Sequence, residues 1–264
     1  MRDSRTVVRY LQIENLKIEI YVSRKKAGIA AAEAAAAELK KLAQQNESIG
    51  VIFATGASQL ETLRALIEIP GLPWDRICGF HMDEYVGISA NHVASFRHYM
   101  RKELTQHVRM RSFGEIDGNP DDAERFCVEY ADSLRAANPQ LCLLGIGENG
   151  HLAFNDPGVA DFNDPKDMKI VALDEECKQQ QIAEGWFESM GEVPAKAMTL
   201  TIPALLRVPK LIVSVPGSRK AAIVNRTLHE PISTACPATI LRTHPDATVY
   251  LDEESAAELK SLRN

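Results

Sequence analysis

Residues 141–158, LCLLGIGENGHLAFNDPG, constrain this chain more than any other stretch. Leu141-Cys142-Leu143-Leu144 is an unbroken apolar run of strand length, the pattern of a strand buried on both faces. Such strands belong to parallel sheets with helices on each side. Gly145, Gly147 and Gly150 then leave the strand through a turn that no bulky residue follows. His151, Asn155 and Asp156 come next, just past the strand's carboxyl end, where open α/β sheets hold ligands. Spacing alone leaves a second reading open, a Gly-rich turn whose histidine caps a helix or satisfies a loop carbonyl, because G-x-G-x-x-G by itself is a weak signal.

The same strand–turn–helix grammar recurs along the chain. Residues 16–22 alternate, with Ile18, Ile20 and Val22 on one face, and Ser23 is placed to cap an Ala-rich helix that runs to about Ala43. Residues 49–54 form a strand, and Thr55-Gly56-Ala57-Ser58 turn directly into a helix carrying Leu60, Leu63, Leu66 and Ile67. Free N–H groups and the positive end of a helix dipole suit such a turn to phosphate; an ordinary loop with Ser58 as N-cap is the other reading. A strand at 76–81 ends in Met82-Asp83-Glu84-Tyr85-Val86-Gly87. Two adjacent carboxylates past a strand end suit acid/base work, since like charges push pKa values apart; a capping Asp beside a solvated Glu fits the same residues.

Residues 92–107 read as a helix whose basic residues, Arg97, Arg101 and Lys102, form a solvated face, and 120–137 as a helix with Pro120 near its start. Beyond the central motif, 169–173 is a short strand and 174–187 a helix with an exposed Gln179-Gln180-Gln181 run. Strands follow at 198–202, 211–215 and 247–251, and a terminal helix at 253–262. After 211–215, Pro216-Gly217-Ser218 leads into Arg219-Lys220 at a helix start, a second anion turn that carries positive charge. These elements predict one α/β domain over residues 1–264, a doubly wound, mostly parallel, Rossmann-like sheet with helices on both faces.

Composition narrows the partners. With 45% hydrophobic and 25% charged residues the chain has an ordinary globular balance, and its net charge of −6 supplies no basic field for nucleic acid or an anionic membrane. No apolar stretch approaches the roughly 20 residues of a spanning helix, and the first residues lack a signal peptide's apolar core. Five scattered cysteines without a CxxC fit reduced thiols in a cytoplasmic protein.

Taken together, ATGAS at 54–58, FHMDEYVG at 80–87, LGIGENGHLAFNDPG at 144–158 and GSRK at 217–220 resemble the glucosamine-6-phosphate deaminase/isomerase family, in order and spacing, over nearly the whole chain. The related 6-phosphogluconolactonases typically show Asp-Glu-Arg where this chain has Asp83-Glu84-Tyr85. They also show a threonine-serine continuation where it has Leu152-Ala153-Phe154-Asn155, so both differences favour the deaminase side. The resemblance implies conversion of glucosamine 6-phosphate and water to fructose 6-phosphate and ammonia, with no metal or organic cofactor. It implies Asp83 as the base that moves a proton from C2 to C1, and His151 as the group that opens the pyranose ring. Asn149 and Asp156 then flank that histidine, while Thr55, Gly56, Ala57, Ser58, Glu84, Gly147 and Lys220 hold substrate or its phosphate. A lactonase, another sugar-phosphate isomerase and a non-catalytic sugar-phosphate sensor are the alternatives, and assembly stays open between a monomer and a homo-oligomer.

The chain also departs from the pattern. Well-known members carry Asp where this chain has Asn149, and Glu where it has Asp156. Asn149 is expected to accept from a ring N–H of His151 and fix its tautomer without charge, and Asp156 is one methylene shorter. The arginine that clamps phosphate ahead of a Phe pair has no counterpart in residues 179–187, which leaves Lys178 or Arg219 as its candidate replacement. No match to an allosteric activator site is present at 159–168, so no such regulation is expected.

Overall fold

The computed structural model describes residues 7–183 and 185–259. The strands are β1 (Val7–Ile13), β2 (Leu16–Tyr21), β3 (Ile49–Phe53), β4 (Ile77–His81), β5 (Asp83–Tyr85), β6 (Ser112–Gly114), β7 (Pro139–Leu144), β8 (Met168–Ala172), β9 (Lys196–Leu200), β10 (Lys210–Ser214) and β11 (Ala247–Asp252). The helices are α1 (Arg24–Leu42), α2 (Leu60–Glu68), α3 (Phe96–Met100), α4 (Ala123–Ala137), α5 (Glu175–Ala183), α6 (Ile202–Leu206) and α7 (Ala221–His229).

Eight strands form one sheet in the order β1-β2-β11-β10-β7-β3-β4-β6, parallel throughout except for β1, which pairs antiparallel with β2. One apolar cluster packs α4, α6 and α7 on one face; a second packs α1 and α2 on the other. The expected doubly wound α/β architecture is therefore what the chain builds. The Ala-rich α1 serves close packing: a Cβ on Gly28 would meet Glu61 Cβ at 2.4 Å, so a larger residue would push α1 off α2. Strands β3 and β7 are neighbours, and the chain leaves them toward opposite edges. That is the switch point at which such sheets bind ligands.

Several elements differ from the sequence reading. A second sheet, β5-β9-β8, is antiparallel and stands apart from the first. The strand read at 198–202 belongs to it and ends at Leu200, because Thr201 turns out to cap α6, its side chain accepting from the Ala204 N–H. Tyr85, Phe96, Phe154 and Phe187 give this sheet its own aromatic core. Strand β1 was not anticipated. The helix read from 92 starts at Phe96, where Ser95 accepts from the His98 N–H, and continues past Met100 as one wider turn to Thr105. The helix read from Pro120 starts at Ala123 under the Asp122 cap, which leaves the proline outside it. Residues 253–258 form turns rather than a helix, and 260–262 lie outside the described residues. No helix among the described residues is long and apolar enough to cross a membrane.

Candidate active site

A cavity of about 300 Å³ opens at the carboxyl ends of β3, β7 and β10. Each strand releases one wall. After β3 come Thr55, Gly56, Ala57 and Ser58; after β7 come Gly145, Ile146, Gly147 and His151; after β10 come Pro216 through Lys220. Met82, Phe96, Phe154 and Trp186 supply apolar surface. A few polar groups converging in a largely preformed concavity are the usual build of a small-molecule site.

The β3 turn is braced from outside. Tyr99 Oη donates to the Gly56 carbonyl at 2.9 Å, and the Arg24 guanidinium donates to the Ala57 carbonyl. Gln59, fully buried, donates to the Leu144 carbonyl at 3.1 Å and ties the turn to the end of β7. The β10 turn is held similarly: the Gly217 N–H donates to both carboxylate oxygens of Asp252 at 3.1 Å. Arg219 and Lys220 lie on a short 3-10 turn just before α7, with Lys220 buried and Arg219 paired to Glu148 at 3.4 Å.

His151 lies over Gly147, where a Cβ would meet the ring's Cε1 and Nε2 at 2.2 Å; only glycine leaves room for the imidazole. Asp156 Oδ1 approaches the ring Nδ1 at 2.8 Å. Asn149 holds the assembly from both ends, its amide donating to Asp156 Oδ1 at 2.9 Å and its carbonyl accepting from the His151 backbone N–H at 3.0 Å. Asn149 thus does not meet the ring, contrary to expectation; the shorter Asp156 reaches it. Burial acts to raise the Asp156 pKa, but His151, Asn149 and the Cys177 thiol together hold it below the usual range. His151, Asp156 and Cys177 have donor atoms within 4.8 Å of one another, the spacing of a metal cluster. Burial and the Asp156 charge raise the Cys177 thiol, however, and keep it protonated. Metal binding would need that thiolate and would displace the Asp156–His151 contact.

Asp83 enters from the second sheet. The Leu200 N–H bonds the Met82 carbonyl at 2.8 Å, and Asp83 pairs with Thr199, so β9 fixes where the carboxylate stands. It lines the cavity, nearly buried, with Oδ1 lacking any partner. Burial raises its pKa well above the ordinary carboxylate value; the neighbouring Glu84 charge adds to this, and a Thr55 hydroxyl bond opposes it.

Eight of the predicted residues, Thr55, Gly56, Ala57, Ser58, Asp83, Gly147, His151 and Lys220, meet around this one cavity, with Asn149 and Asp156 behind the histidine. Glu84 is the correction. It is 0% exposed, lies outside the cavity, and accepts from Ser95 Oγ at 2.7 Å and from the N–H groups of Tyr85, Phe96 and Arg97 at 3.0–3.1 Å. Successive residues of a strand face opposite ways, so Asp83 and Glu84 cannot serve the same side. Arg97, read as solvated, is also buried, 3.4 Å from Glu84 and 2.7 Å from Asp117. Sequence reasoning missed Arg24, Gln180, Gln181 and Trp186, all of which line the cavity. Gln180 accepts from the Glu148 N–H at 3.1 Å and Gln181 from Tyr85 Oη at 2.7 Å.

Fold and site define an α/β protein with a polar cavity, bordered by two strand–turn–helix turns, at the switch point of a parallel sheet. A family model described as glucosamine-6-phosphate isomerases/6-phosphogluconolactonase matches residues 23–250, and the chain belongs to that family. Glucosamine-6-phosphate deaminases of Bacillus thuringiensis (strain Al Hakam) and Bacillus cereus (strain AH820) are each 35% identical over 213 residues, 80% of this chain and 78% of theirs. A solved monomeric glucosamine-6-phosphate deaminase superposes with TM-score 0.84 at 30% identity, covering 91% of this chain and 99% of its own. A 6-phosphogluconolactonase from Thermotoga maritima superposes with TM-score 0.71 at 20% identity over 89% of this chain and 100% of its own, a likeness of fold alone.

Proposed function

We propose that the chain is an isomerising glucosamine-6-phosphate deaminase, converting glucosamine 6-phosphate and water to fructose 6-phosphate and ammonia. The observation that carries this is Asp83, a buried carboxylate with an open oxygen and a raised pKa, sharing one cavity with His151 and two strand–turn–helix anion turns. Moving a proton between adjacent carbons needs a base whose pKa lies near working pH, and burial tunes Asp83 in that direction. The phosphate end of the sugar fits the Thr55–Ser58 turn and Lys220, which orient C1 and C2 toward Asp83. His151, oriented by Asp156, moves the ring-oxygen proton and opens the pyranose. Asp83 then takes the C2 proton and returns it to C1, while the amine nitrogen gives up a proton and O1 gains one, leaving an alcohol at C1 and a ketimine at C2. The resulting ketimine is hydrolysed by water, which leaves its oxygen at C2 and releases the nitrogen as ammonia.

Ammonia release from glucosamine 6-phosphate, with unphosphorylated glucosamine as control, tests the reading. Robust, phosphate-dependent release is expected. Hydrolysis of 6-phosphogluconolactone without ammonia release from the amino sugar would overturn it in favour of the lactonase alternative.

A further inference from the structure

The first turn of α1 runs against helix electrostatics. It reads Arg24-Lys25-Lys26 and contains no acidic residue, so cations crowd the end where free N–H groups already carry positive potential. An anion docking there would relieve the conflict. The Arg24 side chain lies along the cavity wall beside both anion turns, bordering Ser58 of one and Pro216 of the other, and its guanidinium touches the Ala57 carbonyl. It forms no salt bridge with any carboxylate among the described residues. The other candidates are less well placed. Lys178 does not reach the cavity, and Arg219 is half exposed and paired with Glu148.

We propose that Arg24 supplies the guanidinium that grips the substrate's phosphate, filling from the start of α1 the role for which residues 179–187 carry no arginine. The proposal rests on the reading of the ligand as a sugar phosphate. One N–H bond to the Ala57 carbonyl leaves the rest of the guanidinium fork for two phosphate oxygens, a geometry an ammonium cannot copy. With Lys220 on the β10 turn, the site then offers two cations to a dianion. Arg24 is a binding and specificity residue: it discriminates phosphorylated from unphosphorylated sugar and takes no part in proton transfer.

The test compares Arg24→Gln and Arg24→Lys with the unaltered protein. Lysine keeps a terminal donor of similar reach toward the Ala57 carbonyl, so Arg24→Lys separates loss of the fork from loss of the brace. For Arg24→Gln the expected result is a KM for glucosamine 6-phosphate raised about 10–100-fold with kcat within about threefold, partly recovered by Arg24→Lys. Inorganic phosphate, read by calorimetry or by its shift of Tm, should lose affinity in parallel. An unchanged KM together with unchanged phosphate affinity overturns the proposal, as does an equal fall in kcat and phosphate affinity accompanied by loss of Tm, which marks a structural role. Should the unaltered protein release no ammonia, the deaminase reading fails while the phosphate arm still decides: weaker phosphate binding in Arg24→Gln upholds the clamp, and no phosphate binding by the unaltered protein sinks it.

Discussion

The two faces of β5 hold consecutive carboxylates in opposite situations. On the cavity face, Asp83 is buried with one oxygen unpartnered, and its pKa is driven well upward. On the other face, Glu84 is buried more completely, yet four donors and the Arg97 guanidinium meet it. Burial raises its pKa too, but those bonds oppose the rise. Burial alone therefore does not make a carboxylate reactive; what separates the pair is how many bonds stabilise the charged form. Glu84 caps the start of α3 and anchors Arg97, while Asp83 keeps one oxygen without a partner and faces the cavity.

The comparison breaks most visibly at Asp83. Asp83→Asn should lower kcat/KM by about 10³-fold or more, ~4 kcal/mol of transition-state stabilisation, while inorganic phosphate still binds. It should also raise Tm at neutral pH. In the folded chain Asp83 keeps its proton after the unfolded chain has released it, so its share of stability is full below about pH 4 and is lost as pH rises through the raised Asp83 value. Asparagine removes that loss. Parallel loss of activity and Tm would instead place Asp83 among the structural groups.

Glu84→Ala should do the reverse, destabilising by about 2–4 kcal/mol in denaturant unfolding through the uncapped α3 and a buried, half-paired Arg97, with most activity per folded molecule kept. Asp156→Asn comes next. It should cut kcat about 10–100-fold with little change in KM, because His151 loses the charge that orients its ring; an equal change in KM would argue for substrate contact. The smallest effects are shifts of the acid limb in the pH profile of kcat/KM. Glu84→Gln removes a negative neighbour and should move that limb to lower pH, whereas Thr55→Val removes a bond to the ionised carboxylate and should move it higher. Shifts in the same direction would show that Asp83 does not set the limb.

Much of this was legible in the sequence. A βα turn is local, so ATGAS, the Gly147–His151 turn and GSRK identified the cavity's walls from residues that are neighbours in the chain. The fate of Glu84 was not legible, because it depends on β5 pairing with β9, more than a hundred residues away. The same non-local pairing hid the second sheet, whose strands are short and appear in the sequence as turns or as extra strands of the main sheet. Arg24 went unread for a different reason: nothing in its surroundings signals a site except a charge placed at the wrong end of a helix. The Gln179-Gln180-Gln181 run looked exposed, and only packing shows Gln180 and Gln181 reaching the cavity.

The division of the cavity between two sheets has a historical consequence. The large sheet contributes the βα turns and His151, and the small one contributes Asp83 through β5. The two candidate acid/base groups, Asp83 and His151, thus stand on different sheets. A lineage can redraw the segments around β5, β8 and β9, and with them the surroundings of Asp83, without touching the turns of the large sheet.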